Sequence, residues 1–498
     1  MPDRSPAEVF WTPAGIEEAI GGRWLAAPDR DARYAGLGID SRAVRPGRIF
    51  LAVRGERFDG HDFVQAARDG GADLVIGDDQ AKLSASAGPA LLVEDALATL
   101  QSLARAYRDR LAASGTCVIA VAGSNGKTTT RHLVHTALSA ARRGTQSPAS
   151  FNNHIGVPLT LLGAAPGDDF LVAEIGTNHP GEVARLAAIA RPDVAVITSI
   201  GLEHQAFFDG LDAVAREQET LLDHVWDAAV ISSQALEHLA PRLPVDRTWK
   251  LIRYGPEDAA PLNGVDREVV MRAACCSAET GRWRFAVDAT PFESPLPGRH
   301  NVDNALAAVA VGSHLGLEDA VLAEALRDAR PAPMRGQVMR IGSSSRGVVL
   351  INDAYNANPD SMRAALDMLA EHPADRRVAI LGDMLELGSA ERAHHVAVGE
   401  HLVGINALGG GIDRLVTIGA PASAIGDAPS ESMPDGWVHR FDRWSADLPA
   451  AVAGLLAPGD VVLIKGSRGA GLERLVPAIE ARFGQDGAIP SSDPPPAP

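Results

Sequence analysis

Seven short apolar runs punctuate the chain, and most end in glycine or a small polar cluster. They are "CVIAVAG" (117–123), "DFLVAEIG" (169–176), "DVAVITSIG" (193–201), "GVVLINDAY" (347–355), "RVAILGD" (377–383), "RLVTIG" (414–419) and "DVVLIKG" (460–466). Between several of them the apolar positions recur at helical spacing, as in 130–141, 361–371 and 390–404. Near-continuous β-branched strands alternating with helices predict an α/β protein with parallel sheets covered on both faces. In such sheets ligands bind beyond the carboxyl ends of the strands, where the polar clusters fall. The first hundred residues mix short strands, turns and one helix. An amphipathic helix over 95–111 leads onward, which places a boundary near 113. The proline-rich "DARPAPMRGQ" (328–337) breaks the pattern again. Three domains are therefore expected, at 1–113, 114–332 and 333–484. The tail 485–498, "GQDGAIPSSDPPPAP" with the residue before it, is too poor in apolar side chains to pack and is expected to be disordered.

Composition narrows the classes. The chain has 498 residues, 46% hydrophobic and 22% charged, with no apolar run as long as a membrane span. The start lacks the apolar segment of a signal peptide. Three cysteines, Cys117, Cys275 and Cys276, are too few for a disulfide framework and fit a reducing cytoplasm. A net charge of −17 argues against non-specific binding of nucleic acid or membrane. Of the 46 basic residues only Lys82, Lys127, Lys250 and Lys465 are lysines. A lysine kept in so arginine-rich a chain suits a task that needs a compact point charge, such as phosphate.

Lys127 sits in "GSNGKTT", residues 123–129. Val121 stands where the Walker motif has its first glycine, so the loop is a shorter form. Its physics is the same. Gly123, Ser124, Asn125 and Gly126 let backbone N–H groups approach phosphate, and a helix starting near Thr128 adds its dipole. Lys127 neutralises charge, and Thr128 and Thr129 offer hydroxyls, that of Thr128 to Mg²⁺. Glu174 and His204 end two neighbouring strands. A carboxylate there needs a partner or a cation. Mg²⁺ ligation accounts for both, as do a helix cap for Glu174 and a turn for His204. "DAYNANPDSM" (353–362) offers Asp353, Tyr355 and Asn356 to a nucleotide's sugar and base, alongside an Asn-Pro turn with a helix cap at Asp360 or Ser361. Asn301 and Asn304 lie one helical turn apart in "GRHNVDNAL" (298–306), where a cap would also account for them.

With these stretches in view, the chain resembles the Mur ligase family. The matching segments are "DSRAVRPGRIFLA", "FDGHDF", "GSNGKTTT", "FNNHIGVPLTLL", "EIGTNHPGE", "PGRHNVDNALAA", "DAYNANPDSM", "GDMLELG" and "IKGSRG", in family order over about residues 40 to 470. The resemblance implies a UDP-sugar domain, a central P-loop-type ATPase domain and a C-terminal Rossmann-like domain. "YNANP" and "GDMLELG" favour the branch that adds D-alanyl-D-alanine to UDP-N-acetylmuramoyl-tripeptide, and the D-N-P-R motif of the diaminopimelate-adding branch does not occur. Folate polyglutamylation is more distant. A non-catalytic nucleotide-sugar binder is disfavoured by the retention of Lys127, Thr128, Glu174 and His204.

The resemblance further implies ATP and Mg²⁺, an acyl-phosphate intermediate, and a cytoplasmic stage of peptidoglycan synthesis, with the enzyme a monomer. It assigns catalytic roles to Lys127, His204 and Arg335 and metal ligation to Thr128, Glu174 and His204. Substrate contacts fall to Ser41, Arg42, Asn153, Thr177, Asn358 and Lys465. One departure stands out. Family members usually carry a carbamylated lysine that helps hold a second Mg²⁺, and alignment from His204 puts Gln218 at its position. Either activity is impaired or another group supplies the negative oxygen. The favoured arrangement is an active enzyme whose second metal is held by His204 with a nearby carboxylate or water. Glu217 and Glu219 flank the position, and a solvated helix face accounts for them equally.

Overall fold

The computed structural model describes residues 10–484, except 56, 260–261, 278–280, 344–345 and 410. The proposed disordered tail lies outside the described residues. The chain forms three sheets, each from one consecutive stretch. The first has five strands from residues 23–92, parallel except for the edge pair of Arg23–Ala26 with Ala90–Leu92. The third has six strands from residues 337–465, parallel except for Gln337–Ile341 against Val348–Asp353.

The central sheet has nine strands. Cys117–Ala122 lies between Phe170–Glu174 and Val194–Ile197, all parallel. The chain leaves Cys117–Ala122 first toward one side and later returns on the other. The carboxyl end of that strand is thus a topological switch point, where α/β sheets take their ligands. Strands Phe170–Glu174, Val194–Ile197 and Ala228–Ser232 are buried along their whole length, as their unbroken apolar runs require.

After Lys250–Pro256 the sheet continues with Arg267–Cys276, still parallel, and then with Trp283–Val287 and Thr290–Ser294, each joined antiparallel. These strands alternate buried and exposed positions and are not among the seven apolar runs. One face is solvated, so their period-two pattern is diluted by polar residues.

The helix Ala96–Ala113 joins the first two sheets. The Asp95 carboxylate caps it, accepting from the Ala98 N–H at 2.9 Å. Its inner face is shared property. Tyr107 donates its hydroxyl to the Ala164 carbonyl at 2.9 Å, and one apolar core runs unbroken from Ile49 and Leu74 of the first sheet through Leu100 and Leu103 to Ala120 and Leu171 of the second. Arg108, 3% exposed, donates to the carbonyls of Ala190 and Arg191 and, at 2.9 Å, to the Asp193 carboxylate. Asp193 in turn accepts from the Val118 N–H at 2.7 Å. Replacing Arg108 with Leu strips three acceptors of a buried donor. Urea denaturation should show a loss of about 2 kcal/mol, and a loss below a few tenths would mean the helix is held by apolar packing alone.

Candidate active site

Strand Cys117–Ala122 ends in the loop Gly123–Gly126, and the helix Lys127–Ser139 begins at once. Both glycines are required by space. Gly123 has φ +120°, and a Cβ there would sit 2.3 Å from Thr198 Oγ1. Gly126 has φ +82°, and its Cβ would meet Asn304 Oδ1 at 2.4 Å. The loop is pinned from three sides. The Gly123 N–H donates to Gln218 Oε1 at 3.0 Å, and the Asn125 N–H to Ser199 Oγ at 2.9 Å. Thr130 donates to Asn304 Oδ1 at 3.0 Å, and Asn304 donates to Asn301 Oδ1 at 2.9 Å. The first N–H groups of the following helix have no partner inside the helix and face the cleft.

A cavity of about 650 Å³ opens over this loop. It is lined by the loop from Ser124 to Thr129, by Asn153, Glu174, Thr177 and His204, by Asn301 and Asn304, and by Arg335, Asp353, Tyr355, Asn356, Asn358 and Lys465 from the last part of the chain. Gly123 itself does not line it. Ser41 and Arg42 are also absent from its lining, and Arg42 is paired with Asp40 at 2.8 Å instead. The sequence expectation of substrate contacts at Ser41 and Arg42 therefore finds no support in this cavity. Asn153 and Thr177 line it, but each is also engaged locally. Asn153 Oδ1 accepts from the Gly156 N–H at 2.9 Å, and Thr177 donates to the His179 carbonyl at 2.9 Å.

The third domain roofs the cavity through direct contacts. Asn358 donates to Asn125 Oδ1 at 2.9 Å, and Arg335 donates to Thr128 Oγ1 at 3.4 Å. His204 Nδ1 donates to Glu386 Oε2 at 2.5 Å, and His394 donates to Gln205 Oε1 at 2.8 Å. Asn358 also caps the helix Pro359–Glu371 in a reciprocal box with Ser361. The cap is thus Asn358, with Ser361 closing it; Asp360 pairs with Arg363. Asp353 accepts from the Gly336 N–H at 3.0 Å and from Lys465 at 2.6 Å, which holds Lys465 to its own domain. Tyr355 stacks beneath the Arg335 guanidinium, 4.1 Å from the ring centre.

Charge around the cavity is lopsided. Its basic side chains are Lys127, Arg335 and Lys465, against the carboxyls of Glu174, Glu182, Glu203, Asp303, Asp353, Asp360 and Glu386. A polyphosphate entering such a wall needs further cations. Glu174, 1% exposed, accepts from Asn152 with Oε1 at 2.9 Å. Its Oε2 is buried without a hydrogen bond, the Arg131 Nε lying 3.9 Å away. An orphaned, buried carboxylate oxygen beside a phosphate loop fits a hard divalent cation. No group of three or more His, Cys, Asp or Glu side chains among the described residues is arranged to hold a metal ion. In this conformation the Nδ1 of His204 is given to Glu386, which leaves Nε2 as its one ring atom for a ligand.

Glu217 and Glu219, the sequence's nearest carboxylates to Gln218, point elsewhere. Glu217 accepts from the Gly181 N–H at 2.7 Å and the Val183 N–H at 2.8 Å, and Glu219 faces Arg242 at 3.5 Å. Reasoning from sequence missed Glu203, Glu386 and Asp303. The last two sit in segments already singled out, "GDMLELG" and "GRHNVDNAL", and Glu203 directly precedes His204, so attention to family likeness passed over adjacent carboxylates.

A lysine-bearing phosphate loop at a sheet switch point, closed by a separate Rossmann-like domain, defines an α/β enzyme that grips nucleotide phosphates between two domains. Residues 33–108 match the Mur ligase family catalytic domain, 121–312 the Mur ligase middle domain, and 334–468 the Mur ligase glutamate ligase domain. The chain belongs to the Mur ligase family. It is 32% identical to UDP-N-acetylmuramoyl-tripeptide--D-alanyl-D-alanine ligase of Bacillus subtilis, over 93% of this chain and 97% of the relative. It is 32% identical to the Escherichia coli enzyme of that name, over 89% and 92%. Among solved structures it is similar to MurF from Acinetobacter baumannii (TM-score 0.78, 27% identity, 95% and 99% covered) and to MurF from Thermotoga maritima in complex with ADP (TM-score 0.72, 26% identity, 90% and 97% covered).

Asp303, on the cavity wall beside Asn304, is desolvated by burial, which pushes its carboxyl up to about 6 against the opposing pull of Arg299. The folded protein thus holds this proton more tightly than the unfolded chain. Stability from the group is full below pH 4 and is lost as pH rises through 6. Asp303→Asn should therefore match the unmodified protein near pH 4 and exceed it at pH 7.5, by at most about 3 kcal/mol. Parallel denaturation curves at both pH values would refute the assignment.

Proposed function

We propose that the chain is an ATP-dependent ligase that joins D-alanyl-D-alanine to UDP-N-acetylmuramoyl-tripeptide. The observation that carries this reading is the clasp between phosphate loop and third domain, Asn125 to Asn358 and Thr128 to Arg335, in a chain whose full-length relatives bear that name.

The chemistry joins two anions first. A terminal carboxylate oxygen of the tripeptide attacks the γ-phosphorus of ATP, and the bond to ADP breaks. The free amine of the dipeptide then attacks the acyl carbon, loses a proton, and inorganic phosphate departs as the amide forms. Lys127 lowers the first barrier. Its ammonium now donates to the carbonyls of Gly123 and Ser124, and its unbranched stem lets it turn to the γ-phosphate. Arg335 approaches from the opposite wall, with an Nε that is buried without a hydrogen bond and so suited to an incoming phosphate oxygen. Asp353 and Asn356 face the nucleotide's sugar, and Tyr355 with Arg335 forms a flat face for the base. Thr128 Oγ1 and Glu174 Oε2 are the groups that would hold Mg²⁺, which offsets phosphate charge when bound. The roof formed by the third domain keeps water from the acyl phosphate.

In this reading 1–113, 114–332 and 333–484 act as UDP-sugar, ATPase and closing domains of a monomer in the cytoplasm. No helix among the described residues is long and apolar enough to cross a membrane.

Phosphate release from ATP should require both tripeptide and D-alanyl-D-alanine, and single amino acids should not replace the dipeptide. Release that ignores the dipeptide would overturn the reading. Lys127→Arg should cost at least about 100-fold in kcat, because the wider fork cannot occupy a point-charge site; near-normal turnover would remove Lys127 from its role. Gln218 has both amide atoms engaged, with Gly123 and Glu203. Ligation should accordingly be the same in CO₂-stripped buffer and with added bicarbonate, and a strong bicarbonate requirement would contradict that arrangement.

A further inference from the structure

Glu203 is a deeply buried carboxylate of the cavity wall to which the reaction scheme above gives no task. It lies in the loop after strand Val194–Ile197 and is 5% exposed. Its Oε1 is within hydrogen-bond distance of Ser124 Oγ at 3.0 Å and accepts from Gln218 Nε2 at 3.2 Å. Its Oε2 faces the Lys127 ammonium at 3.6 Å, too far for a hydrogen bond, while that ammonium already serves two carbonyls of its own loop.

The Gln218 side chain is a brace. It is 1% exposed and does not line the cavity. Its carbonyl oxygen takes the Gly123 N–H and its amide donates to Glu203. The carboxylate is thus registered to the phosphate loop through two hydrogen bonds, with one oxygen turned toward the space above Lys127. A fixed anion next to a polyphosphate is repulsive unless a cation lies between them. Lys127 alone cannot serve both Glu203 and a phosphate while the wall carries the other unneutralised oxygen, Glu174 Oε2.

We infer that Glu203, oriented by Gln218 and Ser124, is an oxygen ligand for a divalent cation that enters with the nucleotide phosphates. This rests on the nucleotide-binding reading of the cavity but not on the identity of the acceptor. The carboxylate supplies a full negative charge at a place where the neighbouring Gln218 amide supplies none. The competing role is a tether for Lys127, which would make Glu203 part of the loop's packing and nothing more.

Mn²⁺ is the probe, titrated by electron paramagnetic resonance into the full-length protein saturated with β,γ-imido-ATP. Binding of the same nucleotide in EDTA is followed by calorimetry. Glu203→Gln should weaken Mn²⁺ binding about tenfold or more, whereas cation-free nucleotide affinity should hold within about twofold or rise. Glu203→Asp should fall between, and Gln218→Leu, which leaves the carboxylate but removes its brace, should weaken Mn²⁺ by a few-fold. Equal Mn²⁺ affinity in the unmodified protein and Glu203→Gln overturns the inference. So does an equal loss with and without cation, the signature of a tether for Lys127. If Glu203→Gln does not fold, Glu203→Asp and Gln218→Leu carry the same comparison. Phosphate release that ignores the dipeptide would sink the ligase reading and leave the Mn²⁺ result standing, so the two fail separately.

Discussion

The space between the phosphate loop and the end of strand Val194–Ile197 is too small for any side chain at residue 123, and much of the site follows from that closeness. With only hydrogen at Gly123, Thr198 can donate to the carbonyls of Ala122 and Asn125, and Ser199 can take the Asn125 N–H. The two strand ends become one rigid shelf. Everything else in the site is hung from it. Gln218 reaches the shelf from the helix Gly210–Glu219, Asn304 from the helix Arg299–His314, and Asn358 from the third domain. Lys127 is placed by the helix that the shelf launches. A rigid frame matters because the task is electrostatic. Charges aimed at a phosphate do their work only if they need not reorganise at the moment of reaction.

The same frame accounts for the odd charge balance of the cleft. Carboxylates at Glu174 and Glu203 would destabilise an isolated phosphate loop. Here they are held by Asn152 and Gln218, neutral amides that orient without discharging. In the proposed reading a divalent cation arriving with the nucleotide would offset the negative potential they leave, coupling occupancy of the two. The third domain contributes to the balance from the other side, with Arg335 as its one basic group at the loop and Lys465 tied to Asp353.

Much of this was legible in the chain itself. The apolar runs that end at Ala122, Glu174, Asp353 and Lys465 are buried parallel strands, and their polar ends do converge on one cavity. Glycine placement in "GSNGKTT" forecast the phosphate loop, because only a turn with positive φ demands both residues. What escaped was of two kinds. The extension over Arg267–Ser294, which turns antiparallel at Trp283–Val287, has a solvated face, so its strands lack the unbroken hydrophobicity that marks the others. Contacts between distant segments also left no local trace. Nothing in "EHQAFF" announces that His204 will meet Glu386 or that Gln218 will bridge Gly123 to Glu203, since each depends on how helices and domains dock. Ser41 and Arg42, chosen from motif position, lie outside the lining of this cavity, in the first domain.

The helix Ala96–Ala113 is buried in one core with both of its neighbours, whereas the apolar clusters of the last domain draw only on residues from 339 onward. In mechanical terms the molecule has three domains but two bodies. The first two share one core, and the third follows the segment around Met334, whose φ is +57°. A cut in that segment would therefore divide the molecule between cores rather than through one.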